Sequence, residues 1–392
     1  MKLKIIDMDH LGKGIAKDNN KVIFVPKTVT GDVCDASIYK SYKKYDIAKL
    51  DNIIYKSNLR VDSICPYYNE CGGCNISNLD YEHQLDFKVN KVKNVFKKYL
   101  NVDINPKSIG SICEYGYRNK VTYHNDNHFG LVSEYDGIVN IDNCIIANDD
   151  INKLFRIIKE EDLSQVKTVA IRKCDNGLTV NIIGNMNIDS IKKYCIEIII
   201  NNKCIYHKSN GFIAIKDINY KVSSDSFFQI NTTNISVLYD EIINLACFKK
   251  NDKVIDLYCG VGSISLYIAK YVDSVLGIEI VENAIKDAKE NAKSNNINNV
   301  NFICGDVSKL IDNNLYGDVL IVDPPRSGLD NHTIDVINDK KINKIIYVSC
   351  DVMSLVRDIK ILASYELNNI SVIDMFPQTH HVECVCLLLL KN

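Results

Sequence analysis

The C-terminal part of the chain, from about residue 221, alternates short apolar runs with helical stretches. Five runs end in polar residues or glycine: KVIDLYCG, SVLGIEI, VNFICGD, DVLIVDPP and KIIYVSC. Helical stretches such as VENAIKDAKENAKSNN lie between them. This alternation is typical of βαβ units that build a parallel sheet, so the predicted class is α/β. Ligands of such sheets bind beyond the carboxyl ends of the strands, so the residues after each run are the candidates for chemistry.

The first 57 residues have a different pattern, in which short apolar stretches are separated by turn signals such as GKG and TGD. That spacing predicts a small all-β barrel. Residues 105 to about 220 mix β-like runs, such as KTVAIRK and LTVNIIG, with helical stretches. The chain is therefore predicted to have three domains: residues 1–57, a mixed α/β central domain at residues 58–220, and residues 221–392.

A cysteine-rich stretch, CPYYNECGGC, opens the predicted central domain, and an amphipathic helix is expected after it. The apolar residues of this helix recur at helical spacing: Leu85, Val89, Val92 and Phe96. Ser77, Asn78 and Asp80 are the candidates for its N-cap.

Composition restricts the partners and the compartment. The formal net charge of −2 over 392 residues excludes a basic protein that coats nucleic acid, so an RNA partner would be held by local patches. The chain has neither an apolar stretch of membrane-spanning length nor a signal-peptide pattern, so we expect no membrane association and a cytoplasmic location. The 15 cysteines then predict thiols that are free, metal-bound or catalytic.

The first three runs of the C-terminal domain end in groups that suit a nucleoside. Gly260 and Gly262 in DLYCGVGS allow a tight turn into a helix. Glu279 ends the second run, where a carboxylate suits the two hydroxyls of a ribose. Asp306 follows the third run, near the expected position of an adenine. Acidic residues at strand ends disfavour phosphates and fit S-adenosylmethionine, so a class I methyltransferase is favoured over a dehydrogenase.

The fourth run ends in Asp323-Pro324-Pro325-Arg326. Consecutive prolines stiffen a loop that can hold an acidic side chain and a planar base beside the methyl donor. Many amino-methyltransferases have an aromatic residue where this chain has Arg326. The arginine therefore argues against methylation of an amine.

Cys350 follows the fifth run, just before the predicted helix DVMSLVRDIKIL. A thiolate that adds to carbon 6 of a uracil makes carbon 5 nucleophilic towards a methyl group, and a base must then remove the carbon-5 proton. The alternative is a buried, unreactive thiol. The position of Cys350 on the strand beside Asp323 favours the nucleophile. Glu383 and the neighbouring His380 and His381 are the candidate bases, and residue types alone do not separate Glu383 from His381.

Three cysteines, Cys65, Cys71 and Cys74, lie within ten residues and surround two glycines. Three soft ligands at this spacing indicate a zinc or iron–sulfur site, and the spacing does not decide between the two. A fourth ligand must come from elsewhere in the chain, and the candidates are Cys34, His83, Cys113 and Cys144.

Together these motifs resemble the bacterial RNA uracil-5-methyltransferases, specifically the iron–sulfur type that acts on 23S ribosomal RNA. HLGKGIAK with VIFVPKTVTGD resembles the N-terminal TRAM barrel of that family, and SFFQIN resembles its cofactor-contacting segment. DLYCGVGS, IEI, DPPR, VSC and FPQTHHVE match the family's later motifs in order.

The resemblance implies an S-adenosylmethionine-dependent RNA (uracil-5-)-methyltransferase with a Rossmann-like class I domain, an OB-like TRAM barrel and a [4Fe–4S] cluster in the central domain. It implies 23S ribosomal RNA as the partner, and we expect a monomer. The implied cofactor residues are Gln229, Tyr258, Glu279, Asp306 and Asp323. The implied nucleophile is Cys350, the base is Glu383, and the cluster ligands are Cys65, Cys71, Cys74 and Cys144.

One departure from the family pattern concerns the nucleophile. The family has Asn-Pro after this cysteine, whereas Asp351 and Val352 follow here. A carboxylate beside the thiol is expected to raise the pKa of Cys350. The alternative functions are 5-methyluridine formation in transfer RNA, methylation of cytosine carbon 5, and a non-catalytic iron–sulfur RNA-binding protein. The GYRNK stretch at residues 116–120 is expected either to contact RNA or to form a solvated turn.

Overall fold

The N-terminal part of the chain is a six-stranded sheet. The structure is a computed structural model that describes residues 1–223 and 227–391. The N-terminal strands are β1 (Lys2–Lys4), β2 (Asp7–Met8), β3 (Gly14–Asp18), β4 (Lys21–Val25), β5 (Val33–Ser41) and β6 (Tyr45–Tyr55). Their order in the sheet is β1-β5-β6-β4-β3-β2, around an apolar core that includes Ile23 and Cys34. The first 57 residues are thus all-β, as predicted, whereas their identity as a TRAM barrel stays a prediction.

A long helix, α1 (Tyr81–Leu100), and a short strand, β7 (Lys107–Ile109), precede the central sheet. The central strands are β8 (Lys120–Asp126), β9 (His128–Val132), β10 (Ile138–Asn140), β11 (Val166–Cys174), β12 (Gly177–Gly184), β13 (Cys195–Ile200) and β14 (Lys203–His207). Their order is β10-β9-β8-β11-β12-β13-β14. Helix α2 (Asp149–Lys159) packs on this sheet through Phe155, whose ring stacks on Tyr123 with centroids 3.9 Å apart.

The remaining elements begin with a hairpin and continue as alternating helices and strands. They are β15 (Phe212–Ile215), β16 (Ile218–Lys221), α3 (Thr232–Ala246), β17 (Lys253–Leu257), α4 (Ser263–Ile268), β18 (Ser274–Glu279), α5 (Glu282–Ser294), β19 (Val300–Cys304), α6 (Val307–Asn314), β20 (Val319–Val322), α7 (Asn331–Lys340), β21 (Lys344–Ser349), α8 (Val352–Ile361), β22 (Tyr365–Ile373) and β23 (Glu383–Leu390).

The C-terminal sheet has eight strands in the order β19-β18-β17-β20-β21-β23-β22-β7. The five predicted strands, β17 to β21, are all present and pair in parallel. Neighbouring residues along each strand point to opposite faces, so Ile345 and Ile346 belong to different apolar layers. The chain runs outward from β17 to β19 and returns at β20. This reversal creates a crevice at the carboxyl ends of the strands, where open α/β sheets bind their ligands.

Strand β7 belongs to the predicted central domain, but it pairs with β22 at the edge of the C-terminal sheet, with Lys107 opposite Ser371. Helix α1 also packs against this sheet, where Val92 and Phe96 join the apolar layer that contains Tyr347. The segments on the two sides of residue 220 therefore share one core, and the boundaries of the predicted domains stay a prediction.

Helix α1 begins at one of the three N-cap candidates, and its buried face is more polar than predicted. Asp80 is the N-cap, and its carboxylate accepts a hydrogen bond from the backbone N–H of His83 (2.9 Å). The most buried positions recur every four residues and include two polar side chains: Gln84, Lys88, Val92 and Phe96. Among the described residues no helix is both long and apolar enough to cross a membrane.

The turn between β17 and α4 requires glycine at residue 262. Gly262 has φ +77°, and a Cβ there would lie 2.6 Å from the ring of Phe302. Gly137 has the same φ of +77° in open space, so it provides a matched control. We expect Gly137→Ala to lower the free energy of unfolding by about 1 kcal/mol through backbone strain alone, and Gly262→Ala by about 2–4 kcal/mol because strain and overlap add. Urea unfolding of both variants measures the difference, and equal losses would contradict the predicted overlap.

Candidate active site

Cys350 and Glu383 come together at neighbouring strand ends. Strands β21 and β23 are antiparallel, with Ser349 opposite Cys384. One further step of this register sets Cys350 opposite Glu383. Glu383 also pairs with Ile373 of β22, so it is held between two strands and is buried. The sequence placed both residues at strand ends, and the antiparallel register makes them neighbours.

Asp323 joins this pair from the next strand along, because it directly follows β20. Burial raises the pKa of Asp323 to about 7, and the Asp256 carboxylate on β17 adds to the rise. Burial likewise raises the pKa of Asp256 to about 7, against a hydrogen bond donated by the Ser265 hydroxyl. The pKa of Glu383 lies well above its ordinary value because of burial and, secondarily, the nearby Asp323, while Arg326 opposes the rise. The site can therefore take up a proton near neutral pH.

Burial is the main influence on the Cys350 thiol, and it raises the pKa to about 11. Glu383 and Asp323 contribute more to this rise than Asp351 does, and the Arg326 guanidinium opposes it. Asp351 is the N-cap of α8, where its Oδ1 accepts from the N–H of Ser354 (2.8 Å). The expected effect of Asp351 on the thiol is thus present, but it ranks below those of burial, Glu383 and Asp323.

These shifts predict a pH dependence for the reaction that the sequence indicates. That reaction would need Cys350 as a thiolate and Glu383 as a carboxylate, and both pKa values are raised. Below a raised pKa each group carries the proton that it must lose, so activity is lost as the pH falls. We expect the single-turnover rate to increase by at least about tenfold per pH unit between pH 6 and 8, because the thiolate fraction grows in that proportion and the carboxylate fraction of Glu383 grows with it. Rapid-quench measurements on wild type check this, and an acidic optimum would contradict it.

The two histidines beside Glu383 are weak bases. Burial lowers the pKa of His380 to about 3 and that of His381 to about 4. Nδ1 of His380 also donates to the side-chain oxygen of Asn75 (2.7 Å). Nδ1 of His381 lies 3.5 Å from Nη2 of Arg326. This environment favours Glu383 over His381 as the proton acceptor, a choice that residue types alone left open.

The turn after β17 and the end of β18 form a site that suits a nucleoside. Space is open where Gly260 would carry a Cβ. The Glu279 carboxylate accepts from the N–H groups of Gly260 (3.2 Å) and Val281 (2.8 Å), which hold it in place. Its oxygens keep further lone pairs for the hydroxyls of a ribose. Tyr258 adopts φ +65°, an uncommon conformation for a residue other than glycine.

The other two predicted cofactor residues, Asp306 and Gln229, also have structural contacts within the protein. Asp306 is the N-cap of α6 and accepts from the N–H of Ser308 (3.1 Å). The backbone carbonyl of Gln229 accepts from the side-chain amide of Asn119 (3.2 Å). The first residue of the SFFQIN motif, residue 226, lies outside the described residues.

A cavity of about 760 Å³ opens at Cys350 between the three parts of the chain. Its lining includes His10 from the N-terminal part, Lys91 from α1, and Arg326 and Cys350 from the C-terminal domain. Burial lowers the pKa of Lys91 to about 8. No sequence pattern indicates Lys91, because its approach to Cys350 depends on the packing of α1 against the C-terminal domain. In the sequence, Arg326 argued only against methylation of an amine.

The four predicted cluster cysteines line a second cavity of about 370 Å³: Cys65, Cys71, Cys74 and Cys144. Cys34 lies instead in the core of the N-terminal sheet, and His83 lines the cavity at Cys350. In residues 1–223 and 227–391 no group of three or more His, Cys, Asp or Glu side chains is arranged so that it could hold a metal ion. The structure thus brings the predicted thiols to one cavity, and the iron–sulfur prediction is not confirmed.

The expected RNA contact at GYRNK is wrong for two of its residues. Tyr117 is buried, and its hydroxyl donates to the carbonyl of Pro377 (2.9 Å). Asn119 is also buried, with its side chain on the Gln229 carbonyl. Neither of them is in a solvated turn, because this stretch joins the central sheet to the C-terminal domain.

Three comparisons with known proteins found similarity along the chain. The model of the family described as tRNA (Uracil-5-)-methyltransferase matches residues 153–391. An uncharacterized RNA methyltransferase of Halalkalibacterium halodurans is 31% identical over 100% of this chain and 97% of its own length. Another from Clostridium acetobutylicum is 32% identical over 98% and 95%. The Pyrococcus abyssi tRNA (uracil-54, C5)-methyltransferase, solved in complex with S-adenosyl-L-homocysteine, superposes with a TM-score of 0.82 at 25% identity over 99% of each chain.

The family match covers more than half of the chain and includes the strand ends that carry Glu279, Asp323, Cys350 and Glu383. The curated relatives extend the similarity over the whole chain, including the N-terminal sheet and the cysteine stretch. The chain therefore belongs to the tRNA (uracil-5-)-methyltransferase family and is an S-adenosylmethionine-dependent RNA methyltransferase.

Proposed function

We propose that this enzyme methylates carbon 5 of a uridine in 23S ribosomal RNA, with Cys350 as the nucleophile and Glu383 as the general base. The observation that supports these roles best is the antiparallel register of β21 and β23, which sets the thiol opposite the buried carboxyl group. A carbon-5 methylation needs one thiolate and one base on the same ring, and this pair has the required chemistry.

The reaction begins when the Cys350 thiolate bonds to carbon 6 of the uracil, which makes carbon 5 an enolate carbon. S-adenosylmethionine supplies the electrophilic methyl group that carbon 5 takes up. Glu383 then accepts the proton of carbon 5, the bond between sulfur and carbon 6 breaks, and the thiolate is restored. The raised pKa of Glu383 suits this step, because a more basic carboxylate accepts a carbon-bound proton more readily.

Five residues are proposed to hold the cofactor: Gln229, Tyr258, Glu279, Asp306 and Asp323. Glu279 is suited to the ribose because its carboxylate is held by two backbone N–H groups. Asp323 lies between this end and Cys350, where the methyl group must be presented. Its raised pKa means that it can be protonated and so donate as well as accept a hydrogen bond.

The RNA target has two candidates. The order of motifs favours 23S ribosomal RNA, whereas the similarity to the Pyrococcus abyssi enzyme favours transfer RNA. In either case we propose that residues 1–57 form a TRAM-type RNA-binding module and that the enzyme acts as a cytoplasmic monomer. The Asp9–His10 side of that module borders the cavity at Cys350, which supports a contact with the bound RNA.

Mapping of methylated nucleotides tests this proposal. Purified enzyme and labelled S-adenosylmethionine are incubated with unmodified 23S ribosomal RNA and, separately, with unmodified transfer RNA, and the products are digested to nucleosides. We expect 5-methyluridine in the ribosomal RNA. If 5-methyluridine appears only in the transfer RNA, the substrate is transfer RNA and the proposed ribosomal target is wrong. The appearance of 5-methylcytidine, or of no product in either RNA, contradicts uridine methylation.

We further propose that the four cysteines of the second cavity bind a [4Fe–4S] cluster. Four thiols around one cavity of about 370 Å³ match the soft donor set of such clusters. The proposed reaction moves no electron, so the cluster would have a structural role. Iron and acid-labile sulfide determined after anaerobic purification are expected at four of each per chain by stoichiometry. Zinc without sulfide would contradict the cluster and support the alternative that the cysteine spacing left open.

A further inference from the structure

Distant parts of the chain make many of the hydrogen bonds that hold the loop leading to Glu383, beside bonds within the loop itself. It connects β22 to β23 and is closed by the pairing of Ile373 with Glu383. From residue 374 onward its carbonyl groups accept hydrogen bonds from distant side chains or amides: Asp374 from Asn234, Met375 from Asn231, Phe376 from Lys88, Pro377 from Tyr117, and His380 from Lys91.

Gln378 is the centre of these contacts. Its backbone N–H donates to Oε1 of Gln84 on α1 (2.9 Å), and its own Oε1 accepts from Nε2 of Gln84 (3.1 Å). Its carbonyl accepts from the amides of Asn75 (3.1 Å) and Ile76 (3.3 Å), which directly follow Cys74. Gln378 therefore joins the loop before Glu383 both to α1 and to the cysteine stretch.

The conformation of Gln378 costs stability. Its φ is +70°, which is unusual for a residue other than glycine, and its buried Nε2 has no hydrogen-bond partner in the part of the chain that the structure describes. Strained backbone and unsatisfied buried polar atoms persist at positions where the surrounding structure enforces them for function. Near an active site, such a position points to the placement of a reacting group.

A second contact between α1 and the same loop is a buried ion pair. Nζ of Lys88 donates to Oδ1 of Asp374 (2.5 Å), and both side chains are fully buried. Lys88 lies one helical turn beyond Gln84, so one face of α1 carries both contacts. In the first half of the helix the most buried residues are therefore Gln84 and Lys88, whereas the predicted Leu85 and Val89 are only partly buried.

We propose that Gln378 and Gln84 are positioning residues that hold Glu383 against Cys350, so that α1 and the cysteine stretch control the proton-removal step. This inference rests on the role proposed above for Glu383. A displaced carboxylate would still permit thiolate addition and methyl uptake, which use Cys350. It would slow removal of the carbon-5 proton, so the covalent enzyme–RNA adduct would accumulate.

The experiment separates adduct formation from product release in Gln84→Ala and Gln378→Gly. Glycine adopts φ +70° without strain, so Gln378→Gly keeps the loop conformation and loses only the side-chain contact. In single turnovers with end-labelled RNA, we expect adduct formation within about twofold of wild type and release slowed by about tenfold or more, as is usual for loss of a well-placed base. Gln165→Ala, at an exposed glutamine of the central part, is the control and should match wild type.

Three outcomes decide the matter. Adduct that accumulates in either variant while Gln165→Ala turns over normally supports the inference. The inference is overturned if adduct formation and product release slow in parallel in both variants, because the glutamines then act only on folding. It is also overturned if neither rate changes, because the glutamines then have no role in the reaction. The proposed function, and the inference with it, is overturned if the wild-type enzyme forms neither adduct nor methylated product on ribosomal or transfer RNA.

Discussion

Cys350→Ala is expected to abolish methyl transfer, with a loss of at least about 10³-fold, because the reaction then lacks the thiolate that activates carbon 5. Binding of S-adenosylmethionine should persist, since Cys350 is not among the residues proposed to hold the cofactor. Methyl transfer from labelled cofactor measures the first effect, and calorimetric titration with the cofactor measures the second.

A second readout makes this result specific to covalent catalysis. RNA with 5-fluorouridine at the target has no carbon-5 proton to remove, so wild type should form an adduct that survives denaturing electrophoresis, and Cys350→Ala should form none. Cys247→Ala removes an exposed thiol at the C-cap of α3 and serves as the matched control. Residual turnover in Cys350→Ala near the wild-type rate would mean that Cys350 is one more unreactive thiol.

Glu383→Gln is expected to slow turnover by about 10²–10⁴-fold, the usual contribution of a general base. Glutamine preserves the size of the side chain and its place opposite Cys350, so thiolate addition and methyl uptake should still occur. The variant should therefore accumulate a covalent adduct on ordinary uridine RNA, without fluorine, because the carbon-5 proton stays in place. Denaturing gels after a single turnover show this directly.

The matched control for this variant is Glu366→Gln, which changes an exposed carboxylate on the neighbouring strand β22. It should behave as wild type in both turnover and adduct. If Glu383→Gln loses adduct and product together, Glu383 acts before the methyl transfer rather than after it. If it turns over normally, another group removes the proton, and His381 becomes the candidate despite its lowered pKa.

The strands and helices near the site were predictable because they depend on short-range patterns. The five parallel strands and the helix after Cys350 follow from apolar periodicity, and capping residues narrowed the start of α1 to three candidates that include Asp80. The order of the strand-end residues in the sequence also predicted that Glu279, Asp323 and Cys350 lie at one edge of the parallel sheet. Gln84 and Lys88 were not predicted to be buried, because the buried face of a helix is predicted from the spacing of its apolar residues. These two polar side chains are buried because their hydrogen-bond partners lie on a loop that is distant in sequence.

The sequence by itself determined which residue types stand at the strand ends, and hence the class of chemistry. It could do so because a strand–turn–helix pattern depends only on residues that are close together in the sequence. Only the tertiary structure decided which of those residues meet. The antiparallel insertion of β23 sets Glu383 opposite Cys350, and the packing of α1 brings Gln84 to Gln378 across 294 residues of chain. Register and packing between distant segments depend on the whole core, so no local pattern encodes them.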